Sequence, residues 1–277
     1  MNEPQARPTG LRSMPARAVA SVALLVTLFT SAADDAAPPV SPAEVTASLA
    51  SGVAWIWPDS NCPQPRRLTA GAPPYREAAV LVESLVLRGQ GVERGGRRQP
   101  LALPKGARLV PVVHVESATD APVAFTRTQR DAVIAAVRRH AGTAANAGLL
   151  QLDFEAPPRQ RAAYIALVAH VREALPAKVR LSVTALAHWC TQGDWLDRLP
   201  ADEVVPMLYR LGPHADDWRR RFERGDTGLA RGCRGHALGF ATNDPPSPAL
   251  LARATRAYWF DEAAWSNPSR PPSYLIP

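Results

Sequence analysis

The sequence predicts an α/β protein that closes into a TIM-like (β/α)8 barrel, and three observations predict it. Eight short apolar runs recur along the chain. Amphipathic helical patterns separate most of them, the arrangement that gives a parallel sheet. Polar and aromatic residues collect at the carboxyl ends of the runs, where a barrel of this kind builds its active site.

The first run is Val53 to Trp57, stopped by Pro58-Asp59, and the second is Ala79 to Leu87, ending at Gly89. Arg108 to Glu116 is the third. Thr128 to His140 then has helical spacing, with Val133, Ile134 and Val137 on one face. Leu149 to Glu155 is the fourth strand, and a Pro-Pro stop follows it. Gln160 to Leu175 is an amphipathic helix in which Tyr164, Leu167, Val168, Val171 and Leu175 recur at three to four, and Pro176 ends it. Val179 to Leu186 is the fifth strand, and a short helix near Trp195 to Leu199 follows. Glu203 to Tyr209, His236 to Thr242 and Thr255 to Phe260 complete the eight, with helical stretches at Asp216 to Arg224 and Pro248 to Arg253. The connections Ser60–Arg76 and Val92–Gly106 are rich in Pro, Gly and Arg, so irregular first outer helices are expected.

The amino terminus has the layout of a secretory leader. Arg7, Arg12 and Arg17 precede an apolar run from Ala18 to Phe29, and small residues lead up to Asp34. The expected organisation is a signal peptide over 1–33, an Ala/Pro-rich linker over 34–51 and the barrel over 52–277. Export to the periplasm or the medium follows, with retention as an N-terminal anchor as the alternative. The apolar run is short for a transmembrane span, so no membrane span is expected after leader cleavage.

The formal charge is +7, carried almost wholly by arginine, with Lys105 and Lys178 as the two lysines. The arginines are dispersed and form no basic stripe with interleaved aromatics, which argues against a nucleic-acid partner. An oxidising compartment permits one disulfide among Cys62, Cys190 and Cys233, and Cys190–Cys233 is the expected pair. No Cys/His spacing suggests a structural zinc site, and neither a metal nor a cofactor is expected. An open doubly wound sheet is the runner-up fold, but no Gly-x-Gly-x-x-Gly opens a helix. The lack of a Gly-x-Ser-x-Gly elbow argues against a Ser/His/Asp site. A monomer acting on carbohydrate is the expected state.

The chemistry gathers around the fourth strand. Gln151, Asp153 and Glu155 share one face of it. A core strand has no use for two acids at its tip, because burying a charge costs several kcal/mol unless it is paired. Glycoside cleavage does use such a pair: one acid protonates the leaving oxygen, and a second group stabilises the oxocarbenium-like transition state. His114 and Glu116 lie two apart on the neighbouring third strand. The candidate catalytic residues are therefore Glu155 as general acid, Asp153 as transition-state stabiliser and Glu116 as nucleophile or base. The candidate substrate contacts are His114, Gln151, Tyr209, Arg210, Trp57, Trp189 and Trp259, the tryptophans as platforms for the apolar C–H faces of sugar rings. One His among three carboxylates also admits a divalent-ion reading. The alternative to an enzyme is a non-catalytic sugar-binding or envelope structural barrel.

Gln151-Leu-Asp153-Phe-Glu155 resembles the Asp-x-Asp-x-Glu signature strand of family-18 chitinases. The resemblance implies Glu155 as the acid and Asp153 as the residue that orients a substrate acetamido group. Met207-Leu-Tyr209 resembles the family's Met-x-Tyr-Asp, whose Tyr holds substrate, and Trp259 falls where the family has a sugar-stacking Trp. Gln151 replaces the first Asp, Arg210 replaces the Asp after the Tyr, and Val113-His114-Val115-Glu116 stands where the family has Ser-x-Gly-Gly. The chain also resembles a bacterial domain-of-unknown-function family of exported barrel proteins. The segments that carry this likeness are Trp55-Ile-Trp-Pro58, Val112 to Glu116, Gln151 to Glu155, Leu181 to Leu186 with Trp189-Cys190, and Asp202 to Arg210. That resemblance implies the barrel fold.

Overall fold

The computed structural model describes residues 38–57, 75–96, 103, 106–118, 123–156, 158–234 and 236–260. The expected leader (1–33), Cys62, the connection 58–74 and the segment 261–277 lie outside the described residues.

Eight parallel strands close into a barrel. They are β1 (Val53–Ile56), β2 (Glu77–Arg88), β4 (Arg108–Ser117), β5 (Leu149–Phe154), β6 (Arg180–Leu186), β7 (Glu203–Met207), β8 (Ala237–Ala241) and β9 (Arg256–Phe260). The β1–β2 pairing closes the ring, with Val53 opposite Glu77 and Ile56 opposite Val80. The additional β3 (Gly91–Gly96) folds back antiparallel on the upper half of β2. Among the described residues, five α-helices accompany the strands: α1 (Pro42–Ser51), α2 (Arg127–Ala147), α3 (Arg161–Ala174), α4 (Ala215–Arg224) and α5 (Pro248–Arg253). Among the described residues, the β2–β4 connection carries the β3 arm and no helix, and two 3-10 turns (Ala187–Thr191 and Trp195–Arg198) join β6 to β7. No helix among the described residues is long and apolar enough to cross a membrane.

The expected linker over 34–51 is corrected in its second half, which is α1. The reason lies in Ser41-Pro-Ala-Glu44. The Glu44 carboxylate accepts from the Ser41 backbone N–H (2.7 Å), and Ser41 Oγ accepts from the Glu44 N–H (3.3 Å), a reciprocal capping box with Pro42 at the first helical position. Val40 and Val45 flank the cap, and both are buried in the main apolar cluster. Ser48 accepts a hydrogen bond from Trp259 Nε1 (3.1 Å) and so ties α1 to β9. The turn into β1 is so close that a Cβ on Gly52 would stand 2.7 Å from the Ala257 carbonyl oxygen and 2.8 Å from that of Ser48.

Strand alternation divides the core in two. The outward set includes Val113, Val115, Leu150, Leu152, Phe154, Leu181 and Val183, and it packs under Val133 and Val137 of α2 and Tyr164, Leu167, Val168 and Val171 of α3. The inward set includes Val53, Trp55, Val110, Val112, Leu149, Val205 and Tyr258. A register shift between Leu81 and Glu83 resets the phase of β2. Below the shift Ala78 and Val80 join the outer cluster, and above it Leu85 and Leu87 do.

The amino-terminal end of the barrel is plugged by ions. Glu77 accepts from both Arg108 and Arg256. Arg256 also lies 3.6 Å from Glu203, which accepts from the Tyr258 hydroxyl at 2.6 Å. On the outer side, β3 and α2 converge on Glu83. Burial there would raise this carboxyl, yet Arg139, Arg94 and His140 bond to it and hold it below its ordinary range.

The expected disulfide forms. Cys190 follows β6, Cys233 precedes β8, and their Cα atoms are 5.9 Å apart at a sequence separation of 43. A crosslink closing a loop of that length stabilises by about 2–4 kcal/mol.

Gly239 on β8 tests the interior packing. A Cβ there would lie 2.6 Å from two ring carbons of Trp55 and 3.3 Å from the Pro206 carbonyl oxygen. Gly239→Ala is expected to cost about 1–3 kcal/mol by overpacking. Urea unfolding should show a lower midpoint at unchanged slope, and an unmoved midpoint would contradict the contact.

Candidate functional site

The inward residues at the carboxyl ends of the strands meet at one mouth. In register, His114 of β4 stands opposite Asp153 of β5. His114 Nδ1–H donates to Asp153 Oδ2 (2.7 Å), and the Thr184 hydroxyl on β6 donates to Asp153 Oδ1. Asp153 is 5 % exposed, so both of its oxygens are satisfied within the barrel. Thr184 was not among the expected site residues. Its inward phase on β6, two residues past Ser182, is the signal that marks it.

Glu116 and Glu155 each extend one residue beyond the outward-facing Val115 and Phe154, and both are exposed on the rim. Arg210 is also exposed, three residues past the end of β7, with its backbone in the left-handed region (φ 52°). It acts electrostatically on Glu155.

Across the mouth from the acids runs an aromatic arc from β1, β9 and β7. Trp57 stands edge-on to His114 at 6.1 Å and to Phe260 at 6.5 Å. Phe260 stacks on Tyr209 at 5.6 Å with an interplanar angle of 18°. The Tyr209 hydroxyl donates to the sulfur of Met207 (3.3 Å). All three rings are partly buried. Phe260 is the aromatic that the residue-type reading passed over. Tyr258 faces inward, so two residues on, Phe260 does too.

Three expected substrate contacts are corrected. Trp259 has the opposite phase to Phe260: it is fully buried on the outside of the barrel and bonded to Ser48. Trp189 is 2 % exposed in the 3-10 turn after β6 and packs on Trp195 (5.2 Å) and Tyr164 (6.3 Å). Neither presents a ring face to a ligand. Gln151 lies one layer beneath the mouth, fully buried, with its Oε1 accepting from Trp55 Nε1 (2.6 Å) and its amide donating to Ser182 Oγ (3.1 Å). Both ends of that amide are committed to the barrel interior. The remaining expected residues, His114, Glu116, Asp153, Glu155, Tyr209, Arg210 and Trp57, do converge. Among the described residues, no group of three or more His, Cys, Asp or Glu side chains is arranged to hold a metal ion.

The surroundings of Glu155 and His114 set the electrostatics of the mouth. Desolvation by the walls of the mouth raises the Glu155 carboxyl above its ordinary value, and the charges of Asp153 and Glu116 add to this against the opposing pull of His114 and Arg210. For His114, burial alone would depress the imidazole. The hydrogen bond and charge of Asp153, with Glu116 and Glu155, outweigh it and raise the value.

Both shifts favour the protonated form in the folded state, so the native protein binds more protons than the unfolded chain and loses stability as pH rises. For Glu155 the contribution is complete below its ordinary value of 4.5, and for His114 below 6.5, and each fades as pH climbs through the raised folded-state value. Urea unfolding from pH 4 to 9 should show this decline, with its upper part absent in His114→Gln. An identical pH dependence in the variant would contradict the His114 shift.

No family model matches the chain, and no curated protein matches it. Among solved structures, it is similar to the Bacillus cereus spore cortex-lytic enzyme SleL, with a TM-score of 0.46 at 14 % sequence identity over 73 % of this chain. The match spans 57 % of that protein's chain.

Proposed function

We propose that this chain is a carbohydrate-directed barrel that hydrolyses glycosidic bonds, with Glu155 as general acid and Asp153 as the fixed negative charge that stabilises an oxocarbenium-like transition state. The observation that carries the reading is the contrast between two carboxyls of one strand. Asp153 is buried and fully bonded, whereas Glu155 stands at the rim with its protonated form favoured. A carboxyl at the mouth whose protonated form is favoured suits the acid role. The arc of Trp57, Phe260 and Tyr209 supports a sugar ligand, because aromatic faces suit the C–H faces of pyranose rings. Glu116 lies close enough to act on the charge of Glu155 and is a second candidate for a role at the anomeric carbon. Export to an oxidising compartment is part of the proposal and is supported by the Cys190–Cys233 bond.

A second reading, sugar binding without turnover, is favoured by Arg210, whose charge pulls Glu155 toward its ionised form.

The test is a hydrolysis and binding screen on glycol chitin, xylan, carboxymethylcellulose and peptidoglycan, with wild type and Glu155→Gln in parallel. Removal of a general acid is expected to lower turnover about 100- to 10,000-fold, with sugar binding and folding retained. Equal cleavage by both proteins would remove Glu155 from the acid role. Equal binding by both with no cleavage would establish the second reading.

A further inference from the structure

We propose that His114 is the general base of this reaction, taking a proton through Nε2 from the water that attacks the anomeric carbon. The inference rests on the glycosidase reading and goes beyond it by assigning the second proton transfer and the stereochemistry.

The geometry is a chain of three side chains on three adjacent strands. Thr184 of β6 holds Asp153 Oδ1, Asp153 Oδ2 holds His114 Nδ1–H, and the second nitrogen of His114 has no protein partner among the described residues. In the neutral ring the proton sits on Nδ1, directed at Asp153, and Nε2 carries the lone pair. A carboxylate behind an imidazole fixes the tautomer and stabilises the imidazolium that forms on proton uptake. The ring is 24 % exposed and has the edge of Trp57 as its neighbour at 6.1 Å, so Nε2 meets the mouth from a fixed position. Asp153 has no such freedom. Both of its oxygens are engaged, so it supplies charge to the mouth and cannot itself take the proton.

Glu116 is the competing base. It is exposed at the tip of the same strand, and its carboxylate makes no side-chain hydrogen bond among the described residues. A general base works from a defined position within hydrogen-bond reach of its proton. His114 has that definition, fixed by Asp153 from the neighbouring strand. The charged groups that bear on the His114 ring are Asp153 and Glu155 from β5 and Glu116 from β4, and Arg210 beyond β7 acts on Glu155.

The step balances without a further reactant. The water oxygen forms a bond to the anomeric carbon as the bond from that carbon to the glycosidic oxygen breaks. Nε2 takes the water proton, and Glu155 gives its own to the departing oxygen. The imidazolium and the Glu155 carboxylate then exchange protons with solvent and return to their starting forms. Water attacks from the face opposite the leaving group, so the anomeric configuration inverts.

The experiment uses the full chain on the same four polysaccharides, with the anomeric protons of newly released ends read by NMR before they equilibrate. Inversion is expected. His114→Gln should lose about 100- to 10,000-fold in turnover, and its residual activity should have a more acid optimum, because a protonated Glu155 is then the surviving requirement. Added imidazole should restore part of the activity of His114→Ala, which keeps the test open if the Gln variant folds poorly. Retention of configuration would overturn the inference, as would turnover of His114→Gln within roughly threefold of wild type, since a lost general base costs far more. Loss of activity in Glu155→Gln with His114→Gln still active would remove this inference and leave the glycosidase reading standing. No cleavage by wild type would remove both.

Discussion

A carboxylate inside a barrel has to be paired, and that constraint shapes both ends of this one. An ionised group taken out of water costs several kcal/mol unless partners replace its hydration. At the amino-terminal end, Arg108 and Arg256 bond Glu77, and Arg256 and the Tyr258 hydroxyl serve Glu203. At the carboxyl end no arginine among the described residues bonds Asp153. Its partners are a hydroxyl and an imidazole. The difference is chemical. An arginine neutralises a carboxylate permanently, whereas an imidazole gains and loses its proton near neutral pH. One end is therefore a lock and the other a titratable centre. Between them, Gln151 spans from Trp55 to Ser182 and carries the polar chain down into the apolar middle of the barrel.

Much of this was legible in the residues. The eight strands follow from apolar runs, and the helices α2 and α3 from spacing at three to four, because both patterns are direct consequences of which faces must be buried. The acids were legible because Asp153 and Glu155 break an otherwise apolar strand at its tip. The aromatic wall was legible only in part. Residue type alone selects Trp259, while strand phase selects Phe260, and the structure follows phase. Trp189 was beyond that rule, since it lies past the end of β6 in a 3-10 turn whose direction no alternation fixes.

Gln151 failed for a different reason. It has the right face and the right strand, but one residue pair too deep, and depth depends on how far the neighbouring strands extend past it. The α1 helix was hidden by composition: Ala, Pro and Ser read as linker, although Ser41 and Glu44 at a spacing of three also form a helix cap. The partner that makes α1 worth forming, Trp259, stands 211 residues away from Ser48. Local sequence cannot supply a contact of that range.

The divided partnership of β2 has a consequence for how the molecule opens. Its lower half pairs with β1 and β4 and closes the ring, while its upper half pairs with β3 and β4 and stands beside the mouth. The register shift separates the two halves. Detaching β3 would break bonds of the upper half alone and leave the β1–β2 seam intact. The upper half of β2 keeps its pairing to β4 when β3 leaves, so the two halves differ in what holds them. The antiparallel arm thus widens the wall beside the mouth without taking part in closing the ring.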